Sequence, residues 1–69
     1  MMELKLRGEY ITLGQLLKAE NLVEDGAEAK AVIQRGDVSV NGETDTRRGR
    51  KLHEGDKVLF RGSEIVVVR

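Results

Sequence analysis

Apolar and polar residues follow two rhythms along this chain, and the change from one to the other marks its elements. Leu4 and Leu6 alternate with Glu3, Lys5 and Arg7, the period of a short strand that ends at Gly8. From Leu13 the spacing lengthens. Leu13, Leu16 and Leu17 form an i, i+3, i+4 stripe, and Thr12 with Gln15 supplies a capping box, so a short helix runs to about Glu20. Leu22 and Val23 then cover the core. Asp25 with Glu28 forms a second capping box, opening a helix over roughly Gly26 to Arg35 whose Ala29, Val32 and Ile33 share one face. Gly36, just past the last periodic residue, can take the left-handed conformation that stops this helix.

The period then returns to two. Val38 and Val40 alternate into the core, and Asn41-Gly42 is the strongest short hairpin signal available. A polar stretch follows through Lys51, then Leu52 and the turn-forming Glu54-Gly55-Asp56. Val58 and Phe60 alternate with Lys57, Leu59 and Arg61, and Gly62-Ser63 before the run Ile65 to Val68 completes a terminal hairpin. The unbroken run leaves open whether Ile65 and Val67 or Val66 and Val68 face inward. These elements predict an α+β fold with two packed short helices against a small, mainly antiparallel sheet. A chain of 69 residues has room for one core, so a single domain over residues 1–69 is expected.

The eighteen residues from Asp25 to Gly42 carry a further pattern: Glu28-Ala29-Lys30, the apolar pair Val32-Ile33, Gly36, Val38 and Val40-Asn41-Gly42. The string resembles, without a gap, the second half of the S-four RNA-binding domain, and the resemblance extends over about residues 11 to 60. It implies the alpha-L arrangement of that family and a protein that binds RNA without acting on it chemically. By the same resemblance Lys30 lies on the RNA-facing surface of the second helix, Asn41 borders it, and Gly26 and Ala27 belong to it at the helix opening. The chain departs from the family pattern at Thr12-Leu13-Gly14, where many members have Arg-Leu-Asp. It has Asn21 where a glycine is common, and Asp25-Gly26 where a Ser-Arg pair is frequent.

Charge sharpens this picture only through its distribution, because twelve basic and twelve acidic residues cancel. Arg47, Arg48, Arg50 and Lys51 fall within five residues with no acid between Asp45 and Glu54, while Glu20, Glu24, Asp25 and Glu28 gather around the junction between the helices. A neutral chain can therefore carry a basic face. Lys18 lies on the polar side of the first helix and Arg35 closes the second, where it also complements the helix dipole. With the family's contacts at Thr12-Leu13-Gly14 and Asp25-Gly26 replaced, the cluster from Arg47 to Lys51 becomes the expected main source of affinity.

Other chemistries find little to stand on. The lone histidine, His53, has no cysteine partner in a chain without cysteines, and Ser39 and Ser63 lack any nucleophile motif. No catalysis, cofactor, metal or small-molecule substrate is expected. The longest apolar run, Ile65 to Val68, is too short to span a bilayer, so a cytoplasmic protein with no membrane partner is expected. Tyr10 and Phe60 are the only aromatic residues, which disfavours sequence-specific recognition of single strands by base stacking. The expected partner is structured RNA, ribosomal or transfer, or a ribosomal particle, with a role in ribosome assembly or translation. The competing reading is a protein-interaction adaptor whose basic face and acidic helix junction meet complementary patches.

Overall fold

The computed structural model describes residues 2–69, so Met1, the first residue of the expected domain, lies outside the described residues. The elements in chain order are β1 (Met2–Lys5), β2 (Ile11–Thr12), α1 (Leu13–Ala19), α2 (Gly26–Gln34), β3 (Val38–Val40), β4 (Glu43–Thr44), β5 (Lys51–Leu52), β6 (Lys57–Phe60) and β7 (Ser63–Val68). Five strands form one sheet in the order β1-β7-β6-β3-β4, and β2 pairs with β5 in a separate antiparallel ribbon. The larger sheet is antiparallel except at one edge. There β1 runs parallel to β7, with Met2 opposite Ile65 and Lys5 opposite Val68.

Both helices stop by the same device. At the end of α1 the Leu22 N–H donates to Leu17 O and the Asn21 N–H to Lys18 O, and Asn21 takes φ 57°. At the end of α2 the Asp37 N–H reaches Val32 O and the Gly36 N–H reaches Ile33 O, with Gly36 at φ 87°. This is the paired Schellman pattern, which needs a left-handed residue just past the cap. Asparagine tolerates that conformation better than other non-glycine residues, so Asn21 fills the place of the family's common glycine.

The helix starts differ. Thr12 and Gln15 form the full reciprocal box, at 3.3 and 3.0 Å. At α2 the Asp25 carboxylate accepts from the Glu28 N–H at 2.9 Å, but Glu28 reaches back to the Glu24 N–H at 2.6 Å rather than to that of Asp25. The box is thus displaced by one residue on its return arm.

The core lies between the helices and one face of the sheet, and the register decides what the valine run left open. Ile65 and Val67 are buried beside Val58, Phe60, Val38 and Val40, while Val66 and Val68 are half-buried on the opposite face. From the helices come Leu13, Leu16, Leu17, Ala29, Val32 and Ile33, all buried. Burying a side chain such as Val32 or Ile33 contributes about 1.5–3 kcal/mol, so this stripe, more than the intrinsic preference of nine residues, holds α2. The two-residue turns of the hairpins are Asn41-Gly42 and Arg61-Gly62, each with both residues at positive φ. The second turn sits one residue earlier than the Gly62-Ser63 pair suggested. Arg61 leaves the strand, and its guanidinium lies 4.8 Å over the Phe60 ring.

Candidate nucleic-acid interface

The basic segment between β4 and β5 is organised around one carboxylate. Asp45 is only 6% exposed, and its own N–H donates to Val38 O on β3. Its two oxygens accept from the Arg47 N–H at 2.9 Å, from Arg47 Nε and Nη2 at 3.1 and 2.9 Å, and from Arg50 Nη1 at 2.7 Å. The Arg47 side-chain hydrogen bonds, against the opposing effect of burial and with the help of Arg50, hold the Asp45 carboxyl well below the usual carboxylate range. An acid that sequence alone placed at the border of the cluster is its hub.

The segment is also fastened to the start of α1. Leu13 N–H donates to Arg50 O at 2.9 Å and Gly14 N–H to Arg48 O at 3.1 Å, while Ile11 and Thr12 pair with Leu52 and Lys51. The first amides of a helix have no partner within it, so these two carbonyls complete the end of α1 and fix the loop in the same step. Gly14 is what allows so close an approach. A Cβ placed on it would stand 2.9 Å from Arg48 Cγ, so the departure from the family pattern at Thr12-Leu13-Gly14 makes room for an arginine stem.

The outcome is a groove lined by Thr12 at the cap of the first helix, Gly14, Gln15 and Lys18 from that helix, Gly26 and Ala29 from the second, and Arg48 and Gly49 from the loop. Three of the expected contact residues, Lys18, Gly26 and Arg48, are therefore gathered from three separate parts of the chain. Ala27 and Lys30 are exposed further along α2, and Lys30 makes no ion pair among the described residues. Arg35 stands at the far end of α2, away from this groove, and its guanidinium is paired with Asp37 at 2.7 Å.

The remaining expected residues have structural work of their own. Arg47, 69% exposed, and Arg50, 30% exposed, share Asp45, so four basic side chains less one carboxylate leave the segment three positive charges. Lys51 places its ammonium 4.9 Å from the centroid of the Tyr10 ring. Asn41 has the positive φ expected of an Asn-Gly turn, and its side chain ties two turns together. Its Nδ2 donates to Asp56 at 3.0 Å and its Oδ1 accepts from the Lys57 N–H at 2.9 Å. Burial pushes Asp56 up, but hydrogen bonds from the His53 N–H and the Asn41 amide outweigh it and leave the carboxyl below its ordinary value. His53 acts here through its backbone.

Among the described residues no group of three or more His, Cys, Asp or Glu is gathered to hold a metal ion. Among the same residues no helix is long and apolar enough to cross a membrane. Gly14, Gln15 and Gly49 were not expected at the site.

Known proteins share this fold. The sequence matches the S4 domain family over residues 4–68. The chain belongs to that family. This S4 domain is 48% identical over 54 residues to the Bacillus subtilis protein named "Probable ribosome maturation protein RlbA", covering 78% of the chain and 76% of that relative. It is 41% identical over 59 residues to the Escherichia coli "Putative RNA-binding protein YbcJ", covering 86% and 84%. Its fold is similar to the solution structure of YbcJ, with a TM-score of 0.76 at 37% identity, over 100% of this chain and 89% of that one. That structure is described as having an alfaL motif involved in RNA-binding.

Proposed function

We propose that this protein binds structured RNA, ribosomal or transfer, through the groove formed by α1, the opening of α2 and the segment from Asp45 to Lys51, and that it serves ribosome assembly or translation in the cytoplasm. The observation that carries the reading is that Arg48, its backbone fastened to the start of α1, and Lys18 line one groove together with Gly26 and Gly49. Two cations on rigid supports flanking small residues suit a phosphate backbone, whose spacing a pre-set pair can match without ordering a loop on binding. Gly26 and Gly49 have no side chain to keep the backbone of the ligand away. Membership of the S4 family, and the names borne by the relatives from Bacillus subtilis and Escherichia coli, support the same class of ligand. Shape and phosphate position, rather than base identity, would select the target.

The test replaces Arg47, Arg48 and Lys51 together by Ala and measures a thermal melt beside a titration with ribosomal RNA fragments. None of the three belongs to the buried core. The expected result is a fold that persists, with affinity reduced at least tenfold at low salt. Affinity equal to that of the parent would make the basic segment a solvated loop and favour the adaptor reading.

A further inference from the structure

A second groove lies on the other side of α1, between that helix and the chain leaving β1. Lys5, Arg7 and Lys18 bring three positive charges to it and Tyr10 an aromatic ring, and Leu6 and Gln15 line it with them. No acidic side chain is among its lining residues. Gln15 and Lys18 line this groove and the first one alike, so this part of α1 is a wall common to both. Tyr10 is 46% exposed although it is one of only two aromatic residues in the chain. Its ring is set by its neighbours: Lys51 Nζ stands 4.9 Å from the centroid, and the His53 ring lies 6.3 Å away at a tilt of 52°.

An exposed aromatic ring held in place, beside three cations and no anion, is a stacking platform with phosphate ligands around it. Because Lys18 lines both grooves, a phosphodiester backbone held by it in the first would extend into the second toward Arg7 and Lys5. A paired base cannot leave its helix to reach Tyr10, whereas an unpaired one can. We propose that this groove seats one unpaired nucleotide of the bound RNA, its base stacked on Tyr10 and its phosphates met by Arg7 and Lys18. The inference rests on the RNA-binding reading and adds a preference within it, for helices interrupted by a bulge or ending in a single strand.

Tyr10 is the only tyrosine, and the chain has no tryptophan, so the tyrosine emission of the whole protein comes from the ring in question. Two end-labelled RNA hairpins would be used, alike except that one carries a single bulged nucleotide. Anisotropy of the label reports binding, and tyrosine emission with unlabelled RNA reports stacking. The expected result is binding of both hairpins, tighter for the bulged one, with strong quenching of Tyr10 by the bulged hairpin alone. Tyr10→Ala should weaken the bulged hairpin about tenfold and the paired one less than twofold, and Tyr10→Phe should restore the difference. Binding of both hairpins without quenching, or an equal loss for both in Tyr10→Ala, overturns the stacking site and leaves the phosphate groove standing. Binding of neither hairpin, nor of ribosomal RNA fragments, overturns both.

Discussion

Gly14 and Arg48 divide one small space between them, and the division has opposite consequences for stability and for binding. A methyl group on Gly14 would stand 2.9 Å from Arg48 Cγ and 3.6 Å from its carbonyl oxygen, closer than the arginine stem can tolerate in its present path. Alanine is favoured over glycine in a helix by up to about 1 kcal/mol, less in a first turn, which offsets much of the cost of moving a flexible side chain. Gly14→Ala should therefore leave the melting temperature within a few degrees of the parent while RNA affinity falls several-fold, as checked by a melt and a titration on the same preparation. Unchanged affinity would mean that the position of Arg48 does not matter. Nothing in the apolar stripe of α1 indicates this residue; it emerges only when the loop is seen lying across the helix.

The segment from Asp45 to Lys51 behaves as an element in its own right, although only Lys51 in it is strand, because a buried carboxylate and two helix amides define it. Its stability depends on pH in a definite direction. The folded Asp45 carboxyl titrates below the unfolded one, so its contribution is full above about pH 4, the unfolded value, and is lost as the pH falls further. Asp56 has the same sign. Asp45→Asn should cost about 1–2 kcal/mol at neutral pH through the weakened hydrogen bonds. Melts from pH 7 down to pH 3 should show a lower starting point and a flatter decline than in the parent. An identical slope would mean that Asp45 is not the group responsible.

Local elements of this kind were legible to unequal degrees. The helices were plain in their leucine and valine stripes and in Thr12 and Asp25, because capping is a contest settled within four residues. The hub role of Asp45 was hidden, since an aspartate next to arginines reads the same whether it is buried under them or free in solvent. The groove was half visible: Lys18 and Arg48 were named on charge, but only the packing of the loop on α1 brings them to one place. Arg35 was named on the same grounds and stands elsewhere, paired with Asp37.

At the scale of the whole molecule, a chain of no net charge should still bind with a strong dependence on salt, because its charges are segregated. If roughly four to six of Lys18, Lys30, Arg47, Arg48, Arg50 and Lys51 reach phosphates, log K against log salt should fall with a slope of about −3 to −5. A flat response in a salt series would exclude phosphate-dominated binding. The parallel edge of the sheet was the least legible feature, for a physical reason. A partner for Leu4 and Leu6 is chosen by global closure rather than by any neighbour in sequence, and an antiparallel hairpin is the only pairing that local turns can announce.

That edge also sets the order in which the molecule can be completed during its synthesis. Leu6 donates to Val68, and every partner of β1 in the sheet lies between Ile65 and Val68, so β1 must wait for β7. At translation rates of about 5–20 residues per second, some 3 to 13 s separate the appearance of Lys5 from that of its partner Val68. Within that interval the residues of α1, α2 and the β3–β4 hairpin are made, while β1 has nothing to close against. Sheet closure therefore waits until Ile65 to Val68 have been made, and a pause just before Ser63 would leave β1 unpaired.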